Sequence, residues 1–280
     1  MASVAVAVAL AATGCGGPAV SPATTTTAGG PKLSPDGVVW LMTRSALAMV
    51  AGDPAVVGVL GKGRLYELVK PGQVPVPGVR ATLAESFSSY ATLAAAVAGG
   101  TLAPGVTAVL YDSEHWSFTP LDEQLNFPGA MRQAASLAEA HGLTLISAPA
   151  LTLASLLAPG APDAYAAYLQ AGLGREAALA PMVDVQAQRA ERDPATYAGF
   201  VKAATAQIRS ANPSAVVLAG LSTNPTGAPV TAYQLIEAIR AVHGTVDGFW
   251  LNIPTPGPKC PNCNPPNPAV GIEAITSVFG

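Results

Sequence analysis

A chain of 280 residues, half of them apolar and only 11% charged, is long enough for one large core and suits a single barrel-sized domain better than two small ones. Its formal net charge of −3 offers no basic surface, which excludes nucleic acid as a partner. The 28 Gly and 26 Pro fall between periodic segments, so they punctuate loops and do not mark disorder, except towards the N-terminus.

Met1 to Ala12 is an apolar, Ala/Val-rich run of h-region length. Ala12-Thr13-Gly14-Cys15 follows, and then a Gly/Ser/Thr/Pro tract that ends at Pro35. This order resembles a bacterial lipoprotein signal. The resemblance implies that Cys15 carries lipid as the new N-terminus and that residues 16–35 are a flexible tether. It also implies an extracytoplasmic protein that meets the membrane through its anchor only. The alternative is a buried N-terminal helix; a run of about a dozen residues is too short to span a bilayer. The domain expectation is therefore a signal-like segment over 1–15, a tether over 16–35 and one folded domain over 36–280.

Beyond the tether, Val38 to Met42 reads as a strand, Ser45 to Ala51 as a short helix, and Asp53-Pro54 as an N-cap with proline in the first turn of a helix reaching Leu60. Gly61 to Gly78 is loop-like. Val79 to Leu83 is a second strand, Tyr90 to Val97 a helix, Val106 to Tyr111 a third strand and Pro128 to Ala140 its helix. The alternation then becomes regular, with strands at Leu143–Ser147, Pro181–Ala187, Ala215–Leu221 and Val246–Ile253. Helices at Asp163–Ala171, Pro194–Ala211, Thr231–Val242 and Val270–Phe279 separate and close them. Two helices end alike, at His141-Gly142 and His243-Gly244, each with Gly just before the next strand.

Strands alternating with helices imply a parallel sheet with right-handed crossovers. The expected fold is a (β/α)8 barrel of the TIM type. Seven strands are counted, so the barrel is either incomplete or hides an eighth strand between Gly61 and Gly78. An open doubly wound sheet is the competitor, but no GxGxxG or Walker pattern follows the first strand.

Side chains alternate faces along a strand, so each strand exit has a readable parity. Ala108, Leu110, Asp112 and Glu114 share one face; Met182, Asp184, Gln186 and Gln188 share another. Gly220, Ser222 and Asn224 lie together, as do Gly248, Trp250 and Asn252. In each case small or apolar residues become polar towards the C-terminal end, as a barrel interior opening into a C-terminal mouth requires. Asp112 and Glu114, with Asp184 from a later strand, are candidate acid/base carboxylates, because paired carboxylates hold each other's proton near neutrality. His115, Trp116, Gln186, Gln188, Asn224, Trp250 and Asn252 are candidate ligand contacts, the indoles for sugar faces and the amides for hydroxyls. Trp250 is read equally as core and Glu114 equally as a solvated loop carboxylate, while Glu123 reads as a helix-entry charge.

Tyr111-Asp112-Ser113-Glu114 resembles the tail of the D-x-x-D-x-D-x-E signature of chitinase-type barrel hydrolases, as does a tryptophan on a late strand, here Trp250. That resemblance implies Glu114 as the acid and Asp112 as its assistant; Ala108 and Leu110 stand where the signature has its earlier Asp residues. YDSEHW, VDVQAQ and DGFWLNIP together resemble exported (β/α)-barrel proteins of high-GC bacteria, a likeness that supplies no chemistry. The functional expectation is a glycosidase-like barrel acting on a carbohydrate, with a non-catalytic glycan or cell-wall ligand barrel as the alternative. Cys260 and Cys263, a lone pair in an exported chain, are read as a local disulfide. No cofactor is implied, and no metal site: Asp112, Glu114 and His115 are too contiguous to converge, and His141 and His243 sit at helix ends on the far side. A serine nucleophile lacks its G-x-S-x-G elbow.

Overall fold

The computed structural model describes residues 30–257 and 262–280. Cys15 and Cys260 lie outside the described residues, and with them the expected lipid attachment and disulfide. In chain order the strands are β1 (Val39–Thr43), β2 (Arg64–Leu68), β3 (Thr82–Phe87), β4 (Val106–Tyr111), β5 (Thr144–Ser147), β6 (Met182–Val185), β7 (Val216–Ser222) and β8 (Gly248–Asn252). Each pairs in parallel with the next, and β8 closes on β1 with Val39 opposite Gly248 and Leu41 opposite Trp250. The sheet is therefore a complete eight-stranded barrel, and the open-sheet alternative is excluded.

The eighth strand is β2, inside the segment that reads as loop. Its sequence, RLYEL, breaks the apolar pattern with Arg64 and Glu67. Glu67 is fully buried on the outward side, where its Oε1 accepts a hydrogen bond from Val76 N at 3.0 Å. Burial pushes the Glu67 carboxyl up, against the opposing effects of that bond and of the Arg44 charge. The loop between β2 and β3 thus covers the strand, as helices cover its neighbours. A backbone donor from the loop meets one of its oxygens there, and the other is buried without a hydrogen-bond partner.

Strand parity divides the core in two. Val39, Leu41, Ala108, Leu110, Met182 and Leu218 are among the residues filling the barrel. Trp40, Val109, Tyr111, Val183, Val217 and Phe249 face the surrounding helices. Trp40 sits 5.7 Å from both Phe249 and Phe279 by ring centroid, so the seam between β1 and β8 is locked by the closing helix, Pro268–Phe279. Burying each such side chain is worth roughly 1.5–3 kcal/mol.

Caps set the helix starts. Asp53 Oδ1 accepts from Ala55 N at 2.8 Å and Val56 N at 3.2 Å, opening Pro54–Leu60. Asp193 Oδ1 does the same for Ala195 N and Thr196 N at 3.1 and 3.4 Å, opening Pro194–Ala211. Each cap is worth about 1 kcal/mol. Gly142 and Gly244 turn the chain into β5 and towards β8 with φ of 65° and 80°, a left-handed geometry that side chains disfavour.

Candidate functional site

β4 ends at Tyr111, yet its ladder continues: Ala148 N donates to Tyr111 O and Ala150 N to Ser113 O, each at 3.0 Å. The alternation therefore holds through residue 113, which puts Asp112 inside the barrel mouth and Ser113 behind it, fully buried. At Glu114 the chain turns, with Trp116 N donating back to Glu114 O at 3.1 Å. The half-buried Glu114 lies past the last ladder bond, so the expected strand parity no longer governs where it points.

Asp112 and Gln186 meet across the mouth. Gln186 Nε2 donates to Asp112 Oδ1 at 2.8 Å and to Ala148 O at 2.8 Å, so an amide from the β6 exit crosses the β5 exit to reach β4. A small residue at Ala148 leaves room for it. Below lies Asp184, fully buried, with neither carboxyl oxygen hydrogen-bonded. Burial first, and the nearby Asp112 charge second, hold the Asp184 carboxyl well above the usual carboxylate range. Burial thus disfavours the charged form of Asp184, while Asp112 stays partly open to solvent. Of the three candidate carboxylates, Asp112 and Glu114 reach solvent and Asp184 does not.

Gln188 lies over Gly220 on the neighbouring strand; a Cβ at Gly220 would stand 2.5 Å from Gln188 Nε2. Trp250 is 7% exposed within the interior cluster, a burial that matches its core-packing alternative, and its indole N–H has no partner. Asn224 is engaged by the loop that follows β8: its amide donates to Pro265 O at 2.8 Å, and Asn264 donates to its oxygen at 3.3 Å. Asn252, half-buried at the β8 exit, accepts from Thr223 N at 3.0 Å through its backbone oxygen. Glu123 is a cross-link and not a free entry charge, since its Oε1 accepts from Tyr111 OH at 2.7 Å and Tyr90 N at 2.6 Å.

The segment from His115 to Gln124 forms one rim. His115 is exposed and its backbone N–H donates to Thr152 Oγ1 at 3.3 Å. Trp116 is half-buried, its ring 5.1 Å from the exposed Phe118 in an edge-on contact.

One group at the mouth escaped sequence reasoning. Glu191 follows β6 in a short 3-10 turn, Ala190–Arg192, and is fully buried. Its Oε1 accepts from Ser222 N at 2.9 Å, at the end of β7, while its Oε2 has no partner. Burial, opposed by backbone hydrogen bonds and the Arg192 charge, pushes the Glu191 carboxyl up to about 7. The residue before the turn, Arg189, has φ of 84°, the only positive φ outside glycine among the described residues. In the sequence, Arg-Ala-Glu-Arg-Asp reads as a solvated charge run, and nothing local marks its middle member as buried.

Two crevices lie elsewhere. One, of about 230 Å³, is at the N-terminal end of the barrel and is lined by Asp36, Arg64, His243 and Asp247 among others. The second, of about 380 Å³, is an open groove on the helical surface by Tyr90, Arg132 and Leu137. His141 caps its helix at the surface and His243 faces the first crevice, both remote from the mouth. Among the described residues no group of three or more His, Cys, Asp or Glu is placed to hold a metal ion, and no helix is long and apolar enough to cross a membrane.

No family model and no curated protein matches the chain. Several solved structures are similar to it. The carboxyl transferase domain of Rhizobium etli pyruvate carboxylase, solved with pyruvate, is 14% identical at a TM-score of 0.48, covering 87% of this chain and 45% of that one. The same domain solved with 3-bromopyruvate is 15% identical at a TM-score of 0.46 with the same coverage, so the chain spans under half of these structures' length. A putative fructose-1,6-biphosphate aldolase from Coccidioides immitis is 12% identical at a TM-score of 0.42, covering 78% of this chain and 74% of that one. The closed ring of eight parallel strands with its surrounding helices makes the chain a (β/α)8 barrel of the TIM type.

Proposed function

We propose that this barrel is an extracytoplasmic, lipid-anchored protein that binds a carbohydrate at its C-terminal mouth and cleaves a glycosidic bond there. Glu114 is the general acid and Asp112 the carboxylate beside it, as the resemblance to chitinase-type hydrolases implies. The observation that supports the reading is the Gln186 bridge, which ties Asp112 across β5 to the exit of the strand that carries Asp184. Two carboxyl groups in unlike environments, one partly open to solvent and one fully buried with its carboxyl raised, are the arrangement by which acid/base sites divide roles. Asp184 acts here as the buried neighbour of Asp112 and does not touch substrate. The test is a chromogenic-glycoside and glycan-array screen of protein beginning near Gly30, with Glu114→Gln and Asp112→Asn in parallel. Each substitution is expected to lower hydrolysis by about 100-fold or more. Hydrolysis untouched by Glu114→Gln would remove the assignment.

A second reading, a glycan-binding barrel without turnover, is favoured by the full burial of Asp184, which removes one of the three candidate carboxylates from the open mouth. Glycan binding with no product released supports it. The anchor is part of the proposal through Cys15, and a Cys260–Cys263 disulfide accords with export. Cys15→Ser is expected to move the protein from the membrane fraction to the medium.

A further inference from the structure

The rim of the mouth is built around one buried amide. Gln124, 3% exposed, donates from Nε2 to Trp116 O at 3.0 Å and to Thr119 O at 2.6 Å. Two carbonyl oxygens can be met only by an NH2 group, so the orientation of the amide is fixed and its Oε1 is an acceptor. That oxygen lies 2.6 Å from His115 Nδ1. A lone pair facing a lone pair would repel, so the hydrogen of the neutral imidazole sits on Nδ1 and the free lone pair on Nε2. The rest of the loop is equally fixed: Trp116 Nε1 donates to Thr119 Oγ1 at 2.8 Å, and that hydroxyl donates to Ser88 O at 2.6 Å.

We infer that His115 is a ligand-facing acceptor, held by Gln124 as its positioning residue in the Nδ1–H tautomer, so that Nε2 receives a hydroxyl or amide hydrogen of a ligand at the mouth. Three features support it. The imidazole is exposed beside Glu114 while its other nitrogen is occupied. Gln124 spends a fully satisfied buried amide on holding a surface ring, and isolated surface histidines have no such support. Trp116 and Phe118 follow it in the same locked loop, with their rings 5.1 Å apart and both residues partly open to solvent. Such a rim offers a flat apolar face next to a directional acceptor, which suits the alternating C–H faces and hydroxyl edges of a sugar. The choice of a carbohydrate ligand rests on the function proposed above; the tautomer does not.

The experiment reads the tautomer directly. In uniformly 15N-labelled protein in alkaline buffer, the His115 ring is expected to show a protonated Nδ1 and an unprotonated Nε2, the reverse of the form free imidazole side chains prefer. A protonated Nε2 in the wild-type protein overturns the proposal. Gln124→Met, of similar volume, is expected to return His115 to the Nε2–H form; an unchanged Nδ1–H form would remove Gln124 from its role. The wild-type spectrum decides even if that variant fails to fold. Cellotriose, xylotriose and chitotriose are then titrated as probes. A trisaccharide that binds is expected to shift the Nε2 signal and to bind His115→Ala about tenfold more weakly. Binding with Nε2 unmoved overturns the acceptor role. Failure of all three to bind counts against the carbohydrate reading, and the tautomer result then decides this proposal separately.

Discussion

Asp112 and Gln186 belong to strands that are not neighbours, yet Gln186 Nε2 donates to Asp112 Oδ1 at 2.8 Å by passing over the small side chain of Ala148. The bond ties the β4 exit to the β6 exit across β5. Gln186→Leu keeps the bulk and removes both donors, so the Asp112 carboxylate and the Ala148 carbonyl each lose a partner. A loss on the order of 1–2 kcal/mol is expected from urea unfolding. The double variant with Asp112→Ala is expected to lose less than the sum of the single variants, and strict additivity would show the two residues uncoupled.

The pH dependence of stability follows from Glu191. Its folded-state value, about 7, lies above the ordinary value of 4.5, so folding favours the protonated form. Its contribution is complete below about 4.5 and is lost as pH rises through about 7, a fall on the order of 3 kcal/mol. Asp184, raised by burial and by Asp112, acts in the same direction. Urea unfolding at mildly acidic and mildly alkaline pH is expected to show the loss in the wild-type protein and a flatter profile in Glu191→Gln. An equal slope in that variant would place the titration elsewhere.

Two interior glycines on adjacent strands differ in what their missing side chains protect. At Gly220 a Cβ meets the flexible end of Gln188, which can swing away, so Gly220→Ala is expected to fold with a cost within about 1 kcal/mol. At Gly248 a Cβ would collide with the backbone carbonyl of Val39, its partner across the closing seam. Gly248→Ala is expected to cost more than about 4 kcal/mol or to abolish folding. Expression and thermal melts of the two variants separate these outcomes.

Arg189, at φ of 84° with an exposed side chain, holds a backbone geometry that glycine adopts without strain. Arg189→Gly is expected to raise stability by about 0.5–1 kcal/mol, seen as a higher melting temperature. A fall would mean that the side chain contributes more than the strain costs.

The sequence by itself determined the alternation of strands and helices, both Asp-Pro helix starts and the interior parity of Asp112, Asp184 and Gln186. These are local properties: a period of two in strands, a cap one residue before a helix, a glycine at a left-handed turn. Only the tertiary structure decided that RLYEL is a strand, because Glu67 Oε1 is met by Val76 N from a loop that folds back over it. Burial of Glu191 beneath the β7 exit, the bond of Asn224 to Pro265 and the hold of Gln124 on His115 were likewise invisible, since each depends on partners brought together by folding. Pattern along the chain gives the face on which a side chain lies. Whether that face is wet, dry or already hydrogen-bonded is set by what packs against it, and that depends on barrel closure and loop return.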